Sequence, residues 1–263
     1  MPPARALLYA STLAVLVLAA RSALVRPPPL SVAAVACLAY VALILSGVFL
    51  IRLRMFADAV TRGPRDARGF ALTFDDGPDP TSTPRVLDAL DVARAKATFF
   101  VIARKAEAHP ELVKEILARG HAIGLHSYAH DRFFTLRGEK TVRADLERGI
   151  AVLEAITGAK PTIFRPPIGH TNPIVARVSE DLGLAVVGWS VSAFDGIAGA
   201  SAERVIARIS SRIRDGSIVL LHDASERGTH TPVAADALVR IVEAARESRM
   251  EVVPLAPWIE ASE

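Results

Sequence analysis

From Pro27 to Ile51 the chain runs for 25 positions without a charged side chain, between Arg26 and Arg52. No other feature limits so strongly what the chain can fold into. As an α-helix, Leu30 to Ile51 would span about 33 Å, against about 30 Å for the hydrocarbon core of a bilayer. A soluble core helix of that length keeps a polar face, and this one has none. It reads as a transmembrane helix. An earlier apolar run, Ala6 to Ala20, is interrupted by Arg21. Completed to Val25 with Arg21 snorkelling, it makes a second span; the alternative is a signal-type hydrophobic region. No small-residue cleavage site stands out, so two spans joined by Arg26-Pro27-Pro28-Pro29 are the preferred reading.

Charge divides the chain at the same place. The first 51 residues hold Arg5, Arg21 and Arg26 and no acid, so the formal charge of +3 belongs entirely to them. The remainder is formally neutral, which argues against a nucleic-acid partner. Cys37 is the only cysteine and excludes an intrachain disulfide. Residues 52–69 carry Arg52, Arg54, Arg62, Arg65 and Arg68 with the breakers Gly63 and Pro64. The expected organisation is a membrane anchor at 1–51, a basic juxtamembrane linker at 52–69 and a soluble domain at 70–263.

In the soluble part, short apolar runs alternate with amphipathic ones. Strand-like runs fall at Phe70–Phe74, Ala97–Val101, His121–Leu125, Thr162–Phe164, Leu184–Trp189, Ser217–Leu221 and Glu251–Val253. Helical periodicity fills gaps such as Pro110–Arg119, Lys140–Ile156, Ala202–Ile213 and Val233–Arg246. Seven alternations imply an α/β fold with a mostly parallel sheet, and a distorted (β/α)7-type barrel fits the length. An open doubly wound sheet is the alternative.

The chemically suggestive residues sit just past strand ends, which in a β/α barrel converge on the C-terminal mouth. Asp75 and Asp76 leave a strand together and point apart, so one suits a metal and the other a base. Alone, Asp-Asp-Gly-Pro could be an ordinary turn. His126 and His130, four apart, place two imidazoles on one side of a turn, and with a carboxylate they make a three-ligand set with open positions. Arg165-Pro166-Pro167-Ile168-Gly169 forbids regular structure and suits a rigid loop that fixes an arginine near a carboxylate and presents a backbone amide. His222, ending a buried strand, suits a general acid, and Asp195 at another strand end can pair with it.

Taken in order, these segments resemble the five motifs of the polysaccharide deacetylases of carbohydrate esterase family 4, over Phe70 to about Pro254. The resemblance implies that Asp75 is the catalytic base and that Asp76, His126 and His130 bind a divalent metal, usually zinc. It further implies that Arg165 orients the base, that the amide of Ile168 helps hold the oxyanion, and that Asp195 tunes the acid His222. Trp189 and Leu220 would wall the pocket for the acetyl methyl. The sequence departs from the family at Ile168, where an aromatic is usual, and at Ser192, where an acid is frequent. Loss of the ring bears on sugar contact more than on chemistry, and His170 with Thr171-Asn172-Pro173 are candidates to compensate.

The implied activity is metal-dependent removal of N-acetyl groups from amino sugars of a polysaccharide or a lipid-linked glycan. Rival readings are a hydrolase of other small amides or formyl groups on the same scaffold and a membrane-tethered carbohydrate-binding pseudoenzyme. With two spans, Arg5 and the five arginines from Arg52 to Arg68 share one side, against Arg21 and Arg26 on the other. The positive-inside rule then places the domain on the cytoplasmic face of a bacterial-type cytoplasmic membrane, where a lipid-linked precursor is the natural substrate. A single span would export it.

Overall fold

The structure, a computed structural model, describes residues 1–228 and 230–261. Helices α1 (Pro3–Leu24) and α2 (Leu30–Phe49) form an apolar hairpin. Their mean hydropathies are 1.8 and 2.5, and both are long and apolar enough to cross a membrane. Only Gly47 of the two is buried, and Thr12 Oγ1 meets Tyr40 OH at 2.8 Å between them.

The rest alternates strand and helix: β1 (Phe70–Asp75), α3 (Thr83–Val92), β2 (Ala97–Val101), α4 (Ala103–Ala108), α5 (Pro110–Ala118), β3 (Ala122–Leu125), α6 (Glu139–Thr157), β4 (Ile163–Phe164), α7 (Pro173–Asp181), β5 (Ala185–Val186), β6 (Val191–Ser192), α8 (Ala202–Ser210), β7 (Ser217–His222), α9 (Ala234–Glu247) and α10 (Ala256–Glu260). All strand pairs are parallel, in the order β5-β4-β3-β2-β1-β7-β6. This is a curled, distorted (β/α)7 half-barrel, as the strand and helix alternation implies.

Side-chain alternation explains what faces where. In β1 the larger residues Phe70, Leu72 and Phe74 join the outer core with Val86, Leu90, Val113 and Leu238 from the helices. Ala71 points the other way, into a smaller inner cluster with Phe100, Ile218, Val60 and Trp258. Continuing up that inner row come Thr73 and Asp75. In β7 the inner row is Ile218, Leu220 and His222, and the register pairs Ala71 with Ile218, Thr73 with Leu220 and Asp75 with His222. Two chemically useful residues therefore stand level at the mouth because two strands pair without offset.

Three expectations about elements change. Glu251–Val253 is not a strand but a single bridge, Val252 to Phe70, because β1 already has β2 and β7 on its two sides. Leu184–Trp189 shortens to Ala185–Val186, with Val187 left as a single bridge to Val60, and the chain goes on to the unexpected β6. Residues 52–69 are no loose linker in their first half. Met55, Ala57, Ala59 and Val60 are buried, and Val60 N–H donates to Val186 O while Val60 O accepts from Gly188 N–H, at 2.8 and 2.9 Å. Because β5 and β6 do not pair, this segment fills the seam that an incomplete barrel leaves open.

Candidate active site

Asp75 ends β1 facing inward. Its Oδ1 accepts from Arg165 Nη1 at 2.6 Å. Arg165 is wholly buried, and its remaining donors reach Thr73 Oγ1 at 2.9 Å, Val187 O at 3.3 Å and Gly188 O at 3.0 Å. The guanidinium lies 4.1 Å from the centre of the Phe100 ring. A buried cation with a carboxylate, a hydroxyl and two carbonyls around it is a fixed part, not a mobile one.

One residue on, Asp76 adopts a positive φ of 75°, which turns its carboxylate away from Arg165 and toward the histidines. His126 and His130 sit on a tight loop after β3. Ser127 Oγ accepts the His130 N–H at 2.8 Å, and Asp145 of α6 accepts the N–H groups of Tyr128 and Ala129 at 2.8 and 3.1 Å. His126 Nδ1 lies 2.7 Å from Arg165 O, so it carries the proton and leaves Nε2 as a lone pair. The three free donors converge: the two Nε2 atoms are 3.1 Å apart, and Asp76 Oδ1 lies 3.5 Å from that of His126 and 3.4 Å from that of His130.

These donors fit a divalent cation. The edge of a tetrahedron of ligands at 2.0–2.1 Å is about 3.3 Å. Asp76 Oδ1 is buried without a hydrogen-bond partner, as a metal ligand would be. Burial, the largest influence on Asp76, pushes its pKa up, yet His126, His222 and His130 together hold it far below the usual carboxylate range. Burial, the largest influence on His130, and the neighbouring His126 lower its pKa, which favours the neutral imidazole that a metal ligand requires.

Across the mouth, His222 donates its backbone N–H to Asp195 Oδ2 at 2.7 Å, and its Nδ1 lies 3.1 Å from Oδ1. Burial pulls the imidazolium down, but Asp195, followed by Asp76 and Asp75, more than offsets it and raises the pKa to about 10. Ile168 has φ 50°, a conformation costly for a β-branched residue. Gly169 follows at φ 71°, and a Cβ there would meet Trp189 at 2.3 Å. Positive φ recurs around the mouth at Asp76, Ser127, His130, Ile168 and Phe194, and strain of this kind gathers where geometry serves chemistry.

Asp75, Asp76, His126, His130, Ile168, Trp189, Leu220 and His222 all line one cavity of about 350 Å³. Arg165 and Asp195 lie just behind it. Sequence reading missed four more features of this wall. Arg132 and Glu226 bridge its rim, with Nε at 2.8 and 2.9 Å from the two carboxylate oxygens, and Glu226 Oε1 stands 3.3 Å from His130 Nδ1. Phe194 and Ile197 add an exposed apolar face. His170, Thr171 and Asn172 do not compensate for a missing ring: His170 packs on Phe49, Thr171 bonds to Val48, and Asn172 caps α7 through Val175 N–H. A larger hollow of about 450 Å³ between Arg5, Asp58 and Glu180 brings together no comparable set of ligands.

A family model described as polysaccharide deacetylase matches residues 62–187. A peptidoglycan-N-acetylglucosamine deacetylase of Bacillus cereus is 32% identical over 200 residues, which cover 76% of this chain and 71% of that one. A crystal structure of a peptidoglycan N-acetylglucosamine deacetylase superposes with a TM-score of 0.72 at 31% identity, over 78% of this chain and 94% of that one. A family 4 acetyl xylan esterase from Clostridium thermocellum, solved with a cobalt ion, gives a TM-score of 0.65 at 32% identity, over 73% and 90%.

Proposed function

The chain belongs to the polysaccharide deacetylase family, and on that premise we propose that it hydrolyses N-acetyl groups from amino sugars of a glycan, with Asp75 as base and His222 as acid. The observation that carries this reading is the convergence of the Asp76, His126 and His130 donors within 3.1–3.5 Å of one another, flanked by an Arg165-bound carboxylate and an Asp195-bound imidazole.

Asp76, His126 and His130 would hold a divalent ion, zinc by expectation, which would supply Lewis acidity and make the attacking water easier to deprotonate, its pKa falling from about 15.7 toward 7. Asp75 has one oxygen committed to Arg165, while Oδ2, 3.7 Å from His126 Nε2, faces the ligand cluster and takes the proton of the attacking water. The Ile168 N–H donates to the developing oxyanion, a contribution of about 3–4 kcal/mol in comparable holes. Trp189 and Leu220 bound the space for the acetyl methyl. His222, kept protonated by Asp195, delivers a proton to the amide nitrogen as the carbon–nitrogen bond breaks, so the products are acetate and a free sugar amine.

The same proposal takes α1 and α2 as a membrane anchor rather than a removed leader. Arg5 near the start of α1 donates to Met55 O at 3.0 Å and pairs with Asp58 at 3.1 Å, so the start of the hairpin and the end of α2 are both tied to the barrel. The arginine distribution favours the cytoplasmic face for that side. Acetate release from chitooligosaccharide, peptidoglycan and lipid-linked amino-sugar substrates tests the activity. Metal-loaded protein that releases acetate from none of them would refute it.

A further inference from the structure

We propose that the substrate is a glycan tethered by a lipid tail in the bilayer that holds α1 and α2, and that it reaches the cavity over a rim formed by Phe133, Leu136 and Ile168. This rests on the deacetylase reading above and narrows its substrate class.

The last turn of α2 is docked beside the active-site mouth. Thr171 N–H donates to Val48 O at 3.1 Å, and the Phe49 ring meets His170 edge-on with centroids 4.7 Å apart. Gly47 is pressed so closely on Met55 that a Cβ would lie 2.3 Å from its sulfur. His170 is two residues beyond Ile168, which lines the cavity, and two residues reach at most about 7 Å. The mouth therefore begins about one lipid headgroup from where the helix leaves hydrocarbon.

The adjoining loop carries the same message. Asn172 Nδ2 donates to Thr135 O at 2.8 Å, which ties the loop bearing Phe133 and Leu136 to the segment docked on α2. Those two side chains are 60% and 78% exposed, and Ile168 is 38% exposed. Single apolar residues on a surface need no explanation. Two of them on a loop tied to the segment docked on α2, next in sequence to Arg132 of the cavity wall, fit the headgroup–acyl boundary, where apolar side chains are at home. At about 350 Å³ the cavity lies at the small end of ligand sites. A tail in the same bilayer confines the sugar to the layer where the mouth lies and raises its effective concentration there.

The test uses the full chain reconstituted with zinc in phosphatidylethanolamine–phosphatidylglycerol vesicles. Two probes differ only in the tail: free diacetylchitobiose and the same disaccharide carrying an octadecyl aglycone, placed in the enzyme's own vesicles or in separate ones. We expect acetate release from the tailed probe to be at least about tenfold faster at equal total concentration, and only when enzyme and probe share a bilayer. Phe133→Glu and Leu136→Glu should each cut that preference several-fold and leave turnover of free diacetylchitobiose unchanged. Equal rates on both probes, or a preference that neither rim variant moves, would overturn the inference while leaving the deacetylase reading intact. No acetate from either probe would overturn the inference, and the deacetylase reading falls with it only if peptidoglycan and chitooligosaccharide also release none.

Discussion

Replacing Asp195 by asparagine removes one buried charge and keeps the shape of its side chain. Asp195 is wholly buried and lies 3.1 Å from His222 Nδ1. An opposite charge at such range shifts a pKa by about 1–3 units, and each unit is worth about 1.4 kcal/mol. His222, raised to about 10 in the intact protein, should therefore fall to about 7–9 in Asp195→Asn. As the acid, it must be protonated to act, so activity is lost above its pKa. The high-pH limb of kcat/KM should move down by about 1–3 units. The same shift has a folding consequence. Because the folded pKa lies above the ordinary 6.5, protonation of His222 stabilises the fold fully below that value. The contribution drains away as pH rises toward 10. Asp195→Asn should thus lose about 1.4–4 kcal/mol of stability below about pH 6.5 and progressively less toward pH 10. Urea unfolding of the full chain at the two ends of this window measures it. A variant whose high-pH limb stays where the wild type's lies would refute the assigned role of Asp195.

Asp75→Asn should abolish turnover with metal affinity nearly intact, whereas Asp76→Ala should lose both; competition with a chromogenic chelator separates them, and equal loss of metal would show the roles merged. Glu226→Gln should weaken metal binding, because it removes a negative charge 3.3 Å from His130 Nδ1 beside the ligand set. An unchanged dissociation constant would reduce Glu226 to a partner of Arg132. Alkaline phosphatase fused after Gly69 should be inactive in intact bacteria if the proposed two-span topology, with that side cytoplasmic, is right. High phosphatase activity would place the domain outside.

Much of the site was legible because it depends on period-two alternation and on strand ends. Asp75 and His222 follow apolar runs, and once β1 and β7 pair in register nothing further is needed to bring them level. The histidine pair was visible from its spacing, and the arginine loop from its two prolines. What was not legible depends on distant partners. Arg132 and Glu226 are 94 residues apart, on loops whose composition looks like ordinary solvated surface. Asp145 reads as one of several charges on α6, and only the fold shows it holding the His126–His130 loop. The short strand β6 has two residues, too few for alternation to register. Val60 was hidden among arginines, where basic composition suggested a linker and masked the alternation of Met55, Ala57 and Ala59.

That last segment gives the anchor a second meaning. Val60 is the stave set against the end of β5 at the seam left where β5 and β6 do not pair, and only ten residues separate it from the last turn of α2. A soluble form trimmed to begin at Phe70 would lose its stave and leave the amide of Gly188 and the carbonyl of Val186 without their partners along an open seam. On the proposed membrane anchoring, a cut that released the intact domain would have to fall before Ile51, and the stave would make any pull on the hairpin a pull on the wall that carries Trp189.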